Sequence, residues 1–182
     1  VGVEDEAEAL ALARANVGAN GADERIAIVA RAVQDYTVDN PAAFAHVMIN
    51  PPFHEEGAHT RSPSRGKAAA HGEDSLDLGG WIAAAHAALV PGGRLVLVHR
   101  ADRIGAILSA FQGRFGAAAI FPLWPRAGTE AKRILVGAVK GRRTKPRLLA
   151  GLTLHEADGR YTKEAEAVLR DVGRLDLGWA SH

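Results

Sequence analysis

The sequence contains no cysteine, which excludes both a disulfide framework and a thiolate metal site. It has no apolar run long enough to cross a bilayer, and its first residues, VGVEDEAEAL, lack the basic start and apolar middle of a signal peptide. The net charge is only +1, so any affinity for nucleic acid must come from local basic patches. These absences favour a globular, cytoplasmic protein in a reducing compartment, without a membrane partner.

The chain has 182 residues, of which 47% are hydrophobic, and this predicts a single domain over residues 1–182. The apolar patterning predicts strands at 1–4, 26–33, 44–50, 94–100, 117–124, 133–140 and 148–156, and helices at 5–20, 75–90, 101–112 and from 162. Alternating strands and helices indicate a doubly wound, Rossmann-like α/β sheet that is mostly parallel. No helix is predicted between residues 124 and 133, so the C-terminal strands 117–124 and 133–140 are expected to form an antiparallel pair at one edge.

The most informative motif is Asn50-Pro51-Pro52-Phe53, directly after the apolar run of the third strand. An asparagine oxygen and the carbonyl of Pro51 can each accept one N–H of an amino group, which fixes its plane and aims its lone pair at a methyl donor. Two prolines keep this loop rigid, and Phe53 offers a flat face for stacking a flipped-out base. The alternative is a simple strand-ending turn, in which Phe53 packs in the core. The position at the carboxyl end of a buried strand favours the catalytic interpretation.

Four segments together resemble the tRNA1(Val) adenine-37 N6-methyltransferase group of the class I methyltransferases: VMINPPFHEEG, SPSRGKAAAHGED, LVPGGRLVLVHRADR and LTLHEADGRYT. NPPF itself is also found in DNA adenine, small-subunit rRNA guanine and release-factor glutamine methyltransferases, so the later segments narrow the resemblance. The resemblance implies a class I methyltransferase fold, S-adenosyl-L-methionine as the cofactor and RNA, as tRNA, as the substrate. It assigns the target amine and the base to Asn50, Pro51, Pro52 and Phe53.

The resemblance also implies two cofactor contacts. Glu4 matches the acidic residue that accepts hydrogen bonds from the ribose hydroxyls of S-adenosylmethionine; the alternative is a surface acid at the start of a helix. The family often has Gly-Asp after the next strand, near the cofactor's adenine, but here Arg31 and Ala32 occupy that position. We therefore expect the backbone amide near Ala32 to serve there.

A glycine-rich turn of the GxGxG kind, which follows the first strand of class I enzymes, has no counterpart in this sequence. The expected fold is therefore a methyltransferase domain that is N-terminally incomplete, without the first strand and its turn. We accordingly expect this chain alone to bind S-adenosylmethionine poorly or not at all.

Basic residues lie in two segments that could contact RNA phosphates. Residues 54–74 form a long predicted loop in which His54 lines the substrate pocket and Arg61, Arg65 and Lys67 meet phosphates; the alternative is an exposed polar loop. The cluster KGRRTKPR at 140–147, with Arg142 and Arg143, would suit the body of the RNA, although it could equally be a solvated hairpin. The spacing of His54, His59 and His71 has no metal-ligand pattern, so no metal is expected.

Three functions remain open from the sequence. The first is N6-methylation of adenine in RNA. The second is methylation of a protein glutamine at N5, or of another amine, because the same amine-holding motif serves both. The third is a non-catalytic RNA-binding module without a donor site.

Overall fold

The computed structural model describes residues 1–52 and 76–178. The N-terminal part forms a small sheet of two parallel strands with two helices. Its elements are β1 (Gly2–Glu4), α1 (Ala7–Ala19), β2 (Ile28–Ala30) and α2 (Val33–Asp39). Val3 pairs with Val29, and the ladder continues as the N–H of Arg31 donates to the carbonyl of Glu4 at 3.1 Å.

The rest of the chain builds a second, larger sheet. Its strands and helices are, in chain order, β3 (Phe44–Ile49), α3 (Leu78–Ala88), β4 (Leu89–Arg100), α4 (Ile104–Phe111), β5 (Phe115–Trp124), β6 (Arg133–Lys140), β7 (Arg147–Leu148), β8 (Leu152–Thr153) and α5 (Lys163–Leu169). A short 3-10 turn, Ala101–Arg103, joins β4 to α4. The strand order is β3-β4-β6-β5-β7, and β8 also pairs with β5.

Strand β6 is the antiparallel element of the large sheet. It pairs antiparallel with both β4 and β5, whereas β3 and β4 are parallel, so β5 runs in the same direction as β3 and β4. The expected antiparallel pair of the strands 117–124 and 133–140 is confirmed as β5 and β6, and among the described strands only the two-residue strands β7 and β8 lie beyond it at that end of the sheet. β6 lies between β4 and β5. The physical reason for this place is burial, since Ile134, Val136 and Ala138 of β6 are all buried and gain from a central place.

The main core lies between the large sheet and the helices α3 and α4. Its fully buried members include Ile82 of α3, Leu95 and Leu97 of β4, Ile107 of α4 and Val136 of β6. On the opposite face, a smaller cluster of Ala119, Phe121 and Leu177 is covered by the segment that follows α5. The large sheet is thus covered by helices on one face and by the C-terminal segment on part of the other.

Several boundaries differ from the sequence-based expectation. The strand predicted at 26–33 ends at Ala30, because the seven-residue helix α2 begins at Val33 and is too short to give a periodic signal. Helix α3 has Asp77 as its N-cap, where Ser75 was expected; Asp77 Oδ1 accepts the N–H of Gly80 at 2.6 Å. The strand predicted at 148–156 is broken at Gly151, whose φ of +82° and close approach to Pro122 leave no room for a side chain. Among the helices of residues 1–52 and 76–178, none is long and apolar enough to cross a membrane.

Candidate functional site

Asn50 is the first residue after β3 and lies at the carboxyl end of the parallel strands. Ile49 pairs with Leu97 of β4 and packs against the main core, while Asn50 itself is exposed. Pro51 is among the most deeply buried side chains of the protein, and Pro52 is exposed again. A buried proline fixes φ and anchors the chain, so the amide of Asn50 is presented to solvent from a rigid base.

Several predicted site residues lie outside the described part of the chain. They are Phe53, His54, Arg61, Arg65 and Lys67. The stacking, pocket and phosphate-contact roles expected of them stay predictions.

Glu4 ends β1, and its carboxylate serves the start of α1. Its Oε1 accepts the N–H groups of Asp5 and Glu6, each at 3.0 Å. The N-cap residue Glu6 makes no side-chain cap bond of its own, so Glu4 satisfies amides that the helix leaves unpaired. The described hydrogen bonds of this carboxylate use Oε1 alone, which leaves Oε2 as an acceptor for a hydroxyl group. Capping and ribose binding are therefore compatible in one side chain.

Ala32 is the N-cap of α2 and follows β2 at the same end as Glu4 follows β1. Its backbone is extended, and its carbonyl accepts the N–H of Tyr36 at 3.0 Å. The neighbouring guanidinium of Arg31 donates to Asp39 at 2.6 Å, at the far end of α2. The backbone of residues 31 and 32 is thus held in place, and a contact from the amide of Ala32 to a cofactor stays a prediction.

A row of basic residues beyond Asn50 was missed by the sequence reasoning. Arg100 ends β4 and pairs in the ladder with Arg133, the first residue of β6. Arg100 makes an ion pair with Asp102, and its hydrogen bond lowers the pKa of the Asp102 carboxyl. A signal existed in the sequence, since HRADR directly follows an apolar strand and PRAGTEAKR directly precedes another. Only the order of the strands brings these two segments together.

His99 is a buried histidine of β4 with 4% of its surface exposed, and it lies next to the basic row. Burial, followed by the positive charge of Arg103, lowers the pKa of His99. The imidazole is therefore neutral at pH 7 and adds no charge to the edge of the sheet.

Arg142 and Arg143 are exposed, but they lie at the opposite end of the sheet from Asn50. Because β6 is antiparallel, its last residues are level with the amino ends of the parallel strands: Lys140 pairs with Phe115, the first residue of β5. The eight residues of β6 are separated by seven steps, which span roughly 20 Å from one edge to the other at the usual rise per strand residue. Arg142 and Arg143 are therefore too far from Asn50 to contact the group that Asn50 is predicted to hold, although a large substrate could span both places.

We call the basic residues of the segment 140–147 the amino-edge cluster, and two of them have structural partners. Lys140 donates to the carbonyl oxygens of His86 and Leu89 at the end of α3, both at 2.6 Å. Arg147 donates to the carbonyl oxygens of Leu177 and Gly178, at 3.2 and 3.0 Å, and so holds the C-terminal segment. In the part of the chain that the structure describes, no group of acidic or histidine side chains could hold a metal ion.

Comparison with solved structures defines the class of protein. A predicted O-methyltransferase from Agrobacterium tumefaciens is similar with a TM-score of 0.71 and 27% identity, over 91% of this chain and 74% of that one. A SAM-dependent O-methyltransferase from Thermotoga maritima has the same fold, with a TM-score of 0.54 and 17% identity over 78% of this chain and 49% of that one. The architecture is thus the Rossmann-like sheet of the class I methyltransferases.

Residues 1–119 match the family model of the methyltransferase small domain, and the chain belongs to that family. Curated relatives include proteins named tRNA1(Val) (adenine(37)-N6)-methyltransferase. The one from Shewanella baltica is 28% identical over 81% of this chain, and the one from Aeromonas hydrophila is 30% identical over 88%. The chain spans 63% and 65% of the length of these two relatives.

Proposed function

We propose that this chain carries the acceptor half of a methyltransferase that uses S-adenosylmethionine to methylate N6 of adenine in a tRNA. The observation that supports this most strongly is the exposed Asn50 on a buried Pro51 at the carboxyl end of β3. The names of the curated relatives agree with the RNA substrate.

The chemistry follows from what these residues can accept. The N6 amine of adenine is a weak nucleophile because its lone pair is delocalised into the ring. The Oδ1 of Asn50 and the carbonyl oxygen of Pro51 each accept a hydrogen bond from one N–H group of this amine, which favours a more tetrahedral nitrogen. With S-adenosylmethionine bound, this nitrogen would accept the methyl group, the sulfur would keep the electron pair of the broken S–C bond, and the surplus proton would leave to water. No general base is required.

S-adenosylmethionine supplies an activated methyl group on a sulfonium when it is bound. The ribose side fits the residues present, because Glu4 ends β1 with one carboxylate oxygen engaged and the other able to accept from a hydroxyl. On the methionine side, no strand in residues 1–52 or 76–178 is followed by a GxGxG turn. We propose on this basis that residues 1–182 alone bind the cofactor weakly.

An amine acceptor is favoured over an oxygen acceptor by the site itself. A hydroxyl has one proton to donate, so it cannot occupy both carbonyl acceptors of Asn50 and Pro51, whereas an NH₂ group can. The solved O-methyltransferases therefore support the fold but not this part of the proposal. RNA is favoured over protein glutamine by the basic residues along the same edge of the sheet.

The decisive experiment uses the full-length protein that carries this chain. Unmodified tRNA is incubated with this protein and isotope-labelled S-adenosylmethionine. The tRNA is then digested to nucleosides, which are separated and identified by mass spectrometry. We expect labelled N6-methyladenosine. Asn50→Ala should lower the rate at least about 100-fold, because the target amine loses its orientation. Asn16→Ala removes an equally exposed asparagine from α1 and should leave the rate unchanged.

Other products would contradict the proposal in distinct ways. Labelled N5-methylglutamine in a protein substrate would support the glutamine enzyme instead. A label on a ribose oxygen would indicate an O-methyltransferase. RNA binding without any transfer of label, from a protein that binds S-adenosylmethionine, would support the non-catalytic module.

A further inference from the structure

The carboxyl edge of the large sheet carries a concentrated set of basic side chains beside Asn50. We call it the carboxyl-edge surface, and it consists of Arg100, Arg103, Arg126, Lys132 and Arg133. Asn50 follows β3, Arg100 ends the adjacent β4, and Arg133 begins β6, the next strand along. With strands about 4.8 Å apart, Asn50 and Arg133 are separated by roughly 10 Å across the sheet. The surface thus begins at the proposed acceptor site.

The charge at this edge is unbalanced. In the described segments that carry these five basic residues, the carboxylates are Asp102, which Arg100 engages, and Glu130. Glu156 lies beside them, because the N–H of the preceding His155 donates to the carbonyl of Pro125 at 3.1 Å. Arg100 and Arg133 are direct cross-strand neighbours, so their side chains lie close together at this edge. A protein whose net charge is only +1 therefore concentrates positive charge beside its acceptor site. Such a concentration is suited to an anionic ligand.

The loop between β5 and β6 holds its basic residues on an ordered backbone. Thr129 Oγ1 donates to the carbonyl of Arg126 at 2.7 Å and accepts the N–H of Arg126 at 3.2 Å. At the other end of the loop, the carbonyl of Lys132 accepts the N–H of Ala101 at 3.1 Å, which fastens it to the end of β4. Because the loop backbone is held at both ends, it loses little conformational entropy when these side chains bind a ligand.

We propose that the carboxyl-edge surface binds the phosphodiester backbone of the RNA strand on one side of the nucleotide held by Asn50. This binding role rests on the proposed RNA substrate. It adds the residues that would bind the RNA strand outside the acceptor site. The amino-edge cluster is the weaker candidate for this role, because Lys140 and Arg147 already hold backbone carbonyls and the cluster lies roughly 20 Å away. Phosphate contacts position a nucleic acid without reading its sequence, so the surface sets affinity and register.

The test removes two charges whose loss should not disturb the fold. Arg126→Gln combined with Lys132→Gln changes exposed side chains and leaves the loop's backbone hydrogen bonds in place. Binding of unmodified tRNA to the full-length protein is measured by fluorescence anisotropy over a series of KCl concentrations. The slope of log K against log salt should become shallower by about 1.4, since each lost contact to a single strand is worth about 0.7. KM for tRNA should rise at least about tenfold with kcat nearly unchanged.

Two matched double variants complete the test. Arg14→Gln with Arg25→Gln removes the same charge from the N-terminal part and should leave the slope unchanged. Arg142→Gln with Arg143→Gln does so at the opposite edge and should change the slope less than the carboxyl-edge pair. If the protein methylates tRNA but the double variant Arg126→Gln with Lys132→Gln leaves the slope unchanged, the RNA-binding role of this surface is refuted while the proposed function stands. If the unsubstituted protein neither binds nor methylates tRNA, the proposed function fails and this proposal with it.

Discussion

The small sheet and the large sheet of this protein differ sharply in how much apolar surface they bury. In residues 1–41, Ala22 is the buried hydrophobic residue and Thr37 the buried polar one, whereas the large sheet contains a continuous core from Ile82 to Ala138. Leu12 and Val38 of the small part are 60% and 76% exposed. Each of β1 and β2 pairs only with the other among the described strands, while β4 and β6 are paired on both sides.

This difference separates the two halves of the proposed reaction. The proposed acceptor residue Asn50 follows β3, the edge strand of the well-packed sheet, and the predicted cofactor residues Glu4 and Ala32 lie on the poorly packed one. The two parts meet where α2 packs against α3, and where the N–H groups of Ala42 and Ala43 donate to the carbonyls of Ala87 and Ala88, at 2.8 and 2.9 Å. The acceptor side is therefore rigid on its own, and the donor side depends on additional contacts for comparable order.

The largest expected effect is on the stability of the two sheets. Leu97→Ala in β4 removes a fully buried side chain and should lower the free energy of unfolding by about 2–5 kcal/mol. Val29→Ala in β2 removes a half-buried side chain and should cost about 1 kcal/mol or less. Urea unfolding followed by circular dichroism measures both. Equal losses of unfolding free energy in the two variants would show that the two sheets are stabilised by one core. They would contradict the proposed difference in packing between the sheets.

Hydrogen exchange should reveal the same contrast without any substitution. Backbone amides of β4 and β6 lie inside a sheet with a buried core, so they should exchange only through large openings of the structure. Amides of β1 and β2 should exchange at least about 100-fold faster through local opening. Mass spectrometry of peptic fragments, or NMR, gives both rates from one sample. Equal protection in the two sheets would contradict the comparison.

Much of the fold was predictable from the sequence, and the exceptions have physical causes. Strand β3 and the turn at Pro51 were visible because an apolar run ends abruptly at two prolines. The place of β6 between β4 and β5 was not visible, since local patterning gives a strand its periodicity but not its neighbours. Helix α2 was missed because its seven residues are fewer than a periodic signal requires.

The candidate site shows the same division between local and long-range information. Asn50 and Glu4 could be selected from the sequence because each lies at the carboxyl end of a strand and carries a side chain suited to its predicted role. Arg100 and Arg133 could not, since they are 33 positions apart and are joined only by the ladder between β4 and β6. The cluster at 140–147 drew attention by its density of charge, but its distance from Asn50 depends on the direction of β6.

Substitution of Glu4 is expected to have the smallest effect on stability, and it tests how the small sheet is joined to α1. Glu4→Ala removes the acceptor for the amides of Asp5 and Glu6 and should destabilise the protein by about 1 kcal/mol, as loss of a helix cap does. Glu4→Gln keeps a capping oxygen and should cost less, while Glu24→Ala removes an exposed acid that makes no cap and should cost almost nothing. Urea unfolding measures all three.

Cofactor binding then distinguishes capping from ribose recognition. Calorimetry should detect no S-adenosylmethionine binding to residues 1–182 alone. In any protein that contains these residues and binds the cofactor, Glu4→Gln should weaken binding by about fivefold because a neutral oxygen accepts a ribose hydroxyl less strongly than a carboxylate. If Glu4→Gln left this affinity unchanged while Glu4→Ala destabilised the protein, Glu4 would be a cap alone. Tight binding by residues 1–182 would instead show that the small sheet already forms a complete donor site.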